Sequence, residues 1–462
     1  MLRDCYDPIN LFDCVPTLSM QMDPVLAQID SLLADDTIFQ AVKADLSRRF
    51  PHTPDDGRPS TPVEVILRLL IVKHLYNWSF PQTCHLVADS LVLRQFCRLY
   101  FERAPDQSTL NRWAKLLRPE TLQGLLDHIV HLACQLQITT GRKLRIDGTV
   151  VETTIHHPTD STLLNDGVRV LSRTLLKAKT VLGQASELAA DTFVDCTQAA
   201  RNKMKRIMEV ARQKGEEMAE RLKTTYQDLL EVTTTVVARA KQVQAVLSVQ
   251  GGAAAERVVG AFEHFIPLVE QVITQTTRRV LQGESVMASE KIVSLFEPET
   301  AIIRKGKPGK PTEFGRCVWL DEVEGGIISR YVVLNGSGDE KAQLAPSVDH
   351  HIAQFGHPPD LLTGDRGIHS AANERYAQQQ GVKEVVLPKP GRKSAKRLAY
   401  EQQAWFRAGR NWRAGIEGRI SGLKRRHGLE RCRYHGDDGM ERWVGLGIIA
   451  HDLRVIGQHL AA

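Results

Sequence analysis

No apolar run in this 462-residue sequence reaches the roughly 18 residues that a membrane-spanning helix needs. The N-terminal stretch Met1–Asp7 carries acids and no apolar core, so no secretory signal is read and no membrane association is expected. Eight cysteines are scattered without a single Cys-x-x-Cys pair, which gives neither a zinc ribbon nor a disulfide framework. A reduced, cytoplasmic setting fits this usage best. Proline is absent from residues 159–266, so nothing there interrupts helix. What is present is ordinary for a globular protein, with 42% hydrophobic and 25% charged residues. The length predicts about three domains.

Charge is unevenly spread. The chain is +6 overall, yet residues 391–433 alone hold thirteen Lys/Arg against three acids, a balance of +10 that leaves the remainder at −4. One basic segment on a near-neutral body predicts a polyanion docking at one place, a solvated basic face being the plainer alternative. At its centre is the stretch 411–427. Read as a helix, it puts Arg413, Glu417 and Lys424 on one stripe roughly 40° wide. A carboxylate between two cations suits a site that holds a metal ion beside a phosphate. It also suits a plain i,i+4 surface pair.

Along the chain, apolar spacing predicts a helix near Val25–Leu33 and a loop over Pro51–Ser60. Thr61–Glu64 reads as a capping box opening a helix, and Ser79–Gln82 repeats the device. A third helix starts near Ser108, carrying Arg112 and Lys115, residue types that touch phosphates or base edges. This all-α segment, 1–136, is compatible with a helix-turn-helix module or an ordinary bundle. Residues 141–152 change texture, and strands are predicted on either side of Asp147–Gly148. Residues 159–299 read as a long helical insertion. It could bind DNA, dimerise or brace the core. Beyond it come a basic Gly/Pro loop (Lys305, Lys307, Lys310), strands near 316–322 and 327–334 joined through Glu324–Gly326, a helix over 339–355, and a short strand ending at Asp365. A helix at 370–380, a strand at 383–387, the basic helix and a terminal amphipathic helix over 440–460 complete the chain.

With the insertion removed, residues 137–158 and 300–462 give the order strand, strand, strand, helix, strand, helix, strand, helix. That is the ribonuclease-H-like order, an α/β fold whose first and fourth strands are neighbours. Asp147 and Asp365 would then meet, with the Glu417 helix beside them. Three converging carboxylates repel one another unless cations lie between them. Oxygen donors without a cysteine or histidine cluster favour Mg²⁺ or Mn²⁺ over Zn²⁺.

On these residues the chain resembles the DDE transposases of bacterial insertion sequences, the ISNCY or a related group. Asp147 in Arg-Ile-Asp-Gly-Thr and Asp365 in Thr-Gly-Asp-Arg-Gly match the first and second aspartates of that family. Glu417 matches its final glutamate, with Arg413 and Lys424 at an Arg-x3-Glu-x6-Lys spacing. The resemblance covers about 61–120 and 141–455. It implies Asp147, Asp365 and Glu417 as catalytic ligands of two divalent ions about 4 Å apart. It also implies double-stranded DNA (element ends and target) as substrate, and a homodimer that brings two ends together. Arg413, Lys424, Arg425 and Arg426 would be phosphate contacts, and Trp412 either a stacking platform for an extruded base or a buried helix residue. Arg410 stands where the related signature often has tyrosine, which puts a hairpin route for the second strand in doubt. The rival expectations are a ribonuclease-H-like DNA nuclease that cuts without joining, and a catalytically inactive DNA-binding regulator.

Overall fold

The structure, a computed structural model, describes residues 3–6, 22–48, 60–183, 188–213, 215–304, 311–336 and 338–462. The chain falls into two compact units, Met1–Glu152 with Arg316–Ala462, and Thr153–Gly315.

The first unit opens with helices α1 (Pro24–Leu32), α2 (Asp36–Ser47), α3 (Val63–Leu75), α4 (Phe80–Asp89), α5 (Leu91–Phe96), α6 (Gln107–Ala114) and α7 (Pro119–Gln135). Their starts are chemically marked. Asp23, Asp35, Ser79, Ser90 and Asp106 each accept from a backbone N–H of the first turn, and Ser79 with Gln82 completes a capping box. The box expected at Thr61–Glu64 does not form. Pro62 is the residue before α3 and no side chain caps it; the Val63 and Glu64 N–H groups donate instead to the Arg3 and Asp4 carbonyls, at 2.9 and 3.3 Å. The predicted loop over 51–60 lies almost wholly outside the described residues.

Strand β1 (Lys143–Glu152) is continuous through Asp147, not a pair of strands meeting there. Asp-Gly makes a turn when glycine takes a positive φ, and Gly148 does not. The β-branched run Thr149–Val151 carries the strand on. β3 (Glu313–Val323) and β4 (Ile328–Val333) form the predicted hairpin, turning at Gly325 and Gly326 with φ of 80° and 82°. Helix α12 (Leu344–Phe355), strand β5 (Leu361–Thr363), helix α13 (Ala371–Gln379) and strand β6 (Glu384–Val386) follow, each a few residues shorter than expected. Within this unit the strands lie in the order β4-β3-β1-β5-β6. β1 runs parallel to β5 and β5 parallel to β6, while β3 and β4 are antiparallel.

Helices α14 (Ala395–Glu401), α15 (Ala404–His427) and α16 (Asp437–Ala461) close the unit. α15 ends on Gly428 in the left-handed conformation, with Lys424–His427 in its last turn, where cations suit the helix dipole. The expectation of an amphipathic terminal helix is corrected. α16 is buried on nearly every side, because α1, α3, α7 and β4 all pack around it. The N-terminal helices and the sheet thus share one body.

The second unit is a helical assembly of α8 (Asp160–Leu182), α9 (Thr197–Val210), α10 (Glu216–Gln250) and α11 (Ala253–Thr276). Leu164, Leu171, Leu229, Val236, Phe262 and Val269 are among its fully buried residues. Thr159 caps α8, and Arg279 pairs with Asp160 at 2.6 Å. A short strand, β2 (Ala301–Ile303), pairs antiparallel with the first residues of β3 and brings the mixed sheet to six strands. No helix among the described residues is long and apolar enough to cross a membrane.

Candidate active site

The register of two parallel strands sets the site. Lys143 pairs with Leu361 and Arg145 with Thr363. Continued two residues further, the same register brings Asp147 level with Asp365, which follows β5 in the turn Gly364–Asp365–Arg366. Each aspartate is oriented locally. Asp147 Oδ1 accepts from Gly148 N at 2.8 Å, and Asp365 Oδ1 accepts from Arg366 N at 2.6 Å. The Glu340 carboxyl packs over Gly148, where a Cβ would meet its Oε1.

Helix α15 supplies the third acid and the group that gathers all three. Arg413 Nη2 lies 3.0 Å from Asp147 Oδ2 and 3.8 Å from Asp365 Oδ1, and Arg413 Nη1 lies 3.7 Å from Glu417 Oε1. The two aspartates can be no farther apart than the sum of their contacts to that one nitrogen. Exposure grades outward, the side chains of Asp147, Asp365 and Glu417 being 15%, 44% and 70% accessible. The buried Nε of Arg413 has no hydrogen-bond partner among the described residues. The guanidinium is therefore held by its carboxylates and not by a complete bonding shell.

A separate network fixes α15 against the sheet. Arg145 donates from Nε and Nη2 to Glu322 on β3 at 2.8 and 2.5 Å, and from Nη1 to the Trp412 carbonyl at 2.7 Å. Its guanidinium lies 4.8 Å from the Trp412 ring centre. Arg419, two turns on, donates to the same Glu322 at 3.1 Å. Gly415 makes room for Arg145, whose Nη1 a Cβ at that position would strike. These residues hold the Glu417 helix at the height of Asp147. The sequence carries one signal of this network, a charged residue at 145 between the apolar Leu144 and Ile146, both buried.

The remaining expected contacts are spread out. Arg410, Arg425 and Arg426 are exposed along α15, and Lys424 is half-buried on the stripe of Arg413 and Glu417. Trp412 is half-buried, packed against Leu361, Val386 and Phe406 with one ring face on Arg145; this is the arrangement of a packing residue. Arg112 on α6 donates to Thr109 at 3.0 Å, and both it and Lys115 are exposed, away from the acid cluster in the sequence and on a different element. Lys305, Lys307 and Lys310 lie outside the described residues.

The donor set is all oxygen and already assembled round one cation, which fits a hard divalent ion. With Arg413 seated between them the acids are not pre-set as ligands, and no group of three or more His/Cys/Asp/Glu among the described residues stands ready to hold a metal. Metal use is general to DDE enzymes.

Two family models match the chain: a transposase domain (DUF772) over residues 18–116, and a transposase DDE domain over residues 375–456. The second contains Arg413, Glu417 and Lys424 but neither aspartate. A curated relative, the uncharacterized protein ORF8 in the nfe locus of Rhizobium meliloti, is 31% identical over 125 residues. That match takes in 25% of this chain, and the chain spans only 59% of the relative's length. No solved structure matches. At both its N-terminal helices and its C-terminal segment, the chain is similar to the transposase family.

Proposed function

We propose that this chain is a DDE-type transposase that cuts double-stranded DNA at element ends and joins the freed 3′-hydroxyls to target DNA. Asp147, Asp365 and Glu417 are its acid trio, on a ribonuclease-H-like core. The observation that carries the reading is the meeting of these carboxylates, from three remote segments, within 4 Å of one guanidinium. The strand order β4-β3-β1-β5-β6 and the two transposase matches support it.

Mg²⁺ or Mn²⁺ held by the three carboxylates would supply the positive charge that phosphodiester cleavage and transfer require. Asp147 lies on β1 and Asp365 follows the end of the parallel strand β5, so the sheet register brings the two side by side. Glu417 is the most exposed of the three and rides on a helix. Arg413, displaced from its seat, is long enough to take a phosphate oxygen with its fork, and Lys424 lies on the same stripe to take another. Arg410, Arg112 and Lys115 extend the phosphate contacts, Arg425 and Arg426 would meet DNA from the other side of α15, and a homodimer would pair two ends. Water or a 3′-hydroxyl attacks in turn, with no covalent protein–DNA intermediate.

The test is nicking of a duplex carrying the element's ends. Asp147→Asn, Asp365→Asn and Glu417→Gln are expected to lower cutting at least a hundredfold and to leave metal-free DNA binding within about twofold. Cutting at the normal rate in any one variant removes that residue from the site. Supplying precut ends separates a transposase from a nuclease that never joins. The seat of Arg413 favours one second reading, an inactive DNA-binding regulator. That reading requires DNA binding indifferent to Mg²⁺ and no nicking under any condition.

A further inference from the structure

Helix α15 has two faces, and the acid cluster uses one. Gly415, Gly418, Arg419, Gly422 and Arg426 project from the side opposite Arg413, Glu417 and Lys424. With α16 they enclose an open groove of about 340 Å³, to which Arg425 and Arg454 also contribute. No carboxylate is among its lining residues.

The glycines of α15 are of two kinds. Gly409 and Gly415 are explained by packing, since a Cβ at Gly409 would lie 2.7 Å from Val386 and one at Gly415 would strike Arg145. At Gly418 and Gly422 a Cβ would meet nothing within 4 Å among the described residues. Each costs about 1 kcal/mol of helix stability relative to alanine, and the fold has no steric use for either. What they provide is a floor of bare helix backbone between arginines. One of those arginines, Arg454, has a buried Nε with no hydrogen-bond partner among the described residues. His427 and His451 sit at the base of the groove. Burial pushes His427 down to about 4, with Arg454 and Arg426 adding to the effect. Burial likewise lowers His451, helped by His427, Arg419 and Arg454. The groove's charge at neutral pH is therefore that of its guanidinium groups, of which Arg419 is partly neutralised by Glu322 at 3.1 Å.

We propose that this glycine-floored groove between α15 and α16 binds the phosphodiester backbone of a second DNA duplex, distinct from the one at the acid cluster. Arginine forks match phosphate oxygens in pairs, and the bare floor lets the strand approach the helix closely. Asp147, Asp365, Arg413 and Glu417 are not among the groove's lining residues, so the two sites share no side chain. The choice of DNA over another polyanion rests on the function proposed above.

The experiment uses the full chain without divalent metal, so that nothing is cut, and follows a labelled duplex by fluorescence anisotropy at several salt concentrations. Gly418→Glu and Gly422→Glu put a carboxylate on the groove floor where there is open space, and glutamate is the better helix former, so melting temperatures should not fall. The wild-type chain is expected to bind two duplexes. Each variant is expected to weaken the second site by about tenfold or more, with the salt slope reduced by about one for each phosphate that the groove no longer neutralises. Gly418→Ala, which adds no charge, is expected to bind within about threefold of wild type. Equal stoichiometry and equal salt slope in wild type and both glutamate variants overturn the proposal. So does a groove that takes inorganic triphosphate but is not competed by duplex. Failure of metal-dependent cutting would overturn the transposase reading by a different measurement and leave this binding result standing.

Discussion

Two clusters of the same chemistry lie side by side at α15, and they differ in which charge is in excess. At Glu322, two guanidinium groups share one carboxylate that is fully enclosed. At Arg413, three carboxylates share one guanidinium, and two of the three reach solvent. The first leaves one positive charge, turned into fixed hydrogen bonds and a tryptophan face. The second carries two more negative charges than its guanidinium balances. An enclosed network with every acceptor used is a fastening; an open one with surplus anion is a place for something to bind.

The largest expected effect breaks the fastening. Glu322→Gln keeps the shape but leaves Arg145 buried without its counter-charge, which costs about 3–5 kcal/mol. Urea unfolding should show that loss, and α15 should lose its fixed height over β1. An unchanged midpoint would mean that Arg145 and Arg419 find other partners and that the apolar packing of Phe406 and Trp412 holds the helix alone.

A smaller effect is expected at the open cluster. Arg413→Ala removes the one cation among three acids; its pairs with the exposed Asp365 and Glu417 contribute about 1 kcal/mol or less each, and its loss relieves no repulsion, so the cost is set by the mostly buried Asp147. Stability should fall by less than in Glu322→Gln, whose carboxylate is fully enclosed. Mn²⁺, titrated calorimetrically without DNA, should bind at least tenfold tighter, because the ion no longer competes with a guanidinium for the same carboxylates. Equal affinity in the two proteins would show that Arg413 does not guard the acids, and the contrast between the clusters would lose its meaning.

This contrast also explains how far the sequence could be read. Asp147, Asp365 and Glu417 stood out because carboxylates at the ends of apolar runs and on a basic helix are out of place locally. The parallel pairing of β1 with β5 followed from strand order. Asp147 was expected at a strand end, because Asp-Gly often marks a turn; Gly148 takes no positive φ, and the β-branched run Thr149–Val151 carries the strand on. The fastening was missed because Arg145 and Glu322 are far apart in sequence, and their partnership exists only once β3 lies beside β1. α16 looked amphipathic because its polar residues, such as Asp452 and His451, are themselves buried. Asp452 accepts from Ile328 N at 3.1 Å, a tertiary contact that helical periodicity cannot foresee.

A third buried cation sharpens the comparison, because no carboxylate among the described residues pairs with it. Lys73 on α3 is 2% exposed, and its Nζ lies 4.3, 4.9 and 5.0 Å from the ring centres of Trp443, Tyr434 and Phe80. Burial pushes it down to about 7 from an ordinary 10.5, with Arg433 adding to the effect and Cys432 opposing it. Its neighbour His74, 3.4 Å away, is lowered well below its usual range, chiefly by burial, and so stays neutral above pH 7. The folded chain therefore releases the Lys73 proton near pH 7, whereas the unfolded chain keeps it until about pH 10.5. Between those limits the unfolded state binds more protons, so stability rises with pH, by at most about 1.4 kcal/mol per unit from this one group. Below pH 7 both states are protonated and the full penalty of the buried charge applies. Lys73→Met keeps the length and the ring contacts without the charge. Its urea midpoint should exceed wild type at and below neutral pH, and the difference should shrink as pH rises towards 10. A difference that stays constant with pH would mean that the aromatic rings hold the ammonium as well as Glu322 holds Arg145, and that enclosure without a counter-charge carries no penalty here.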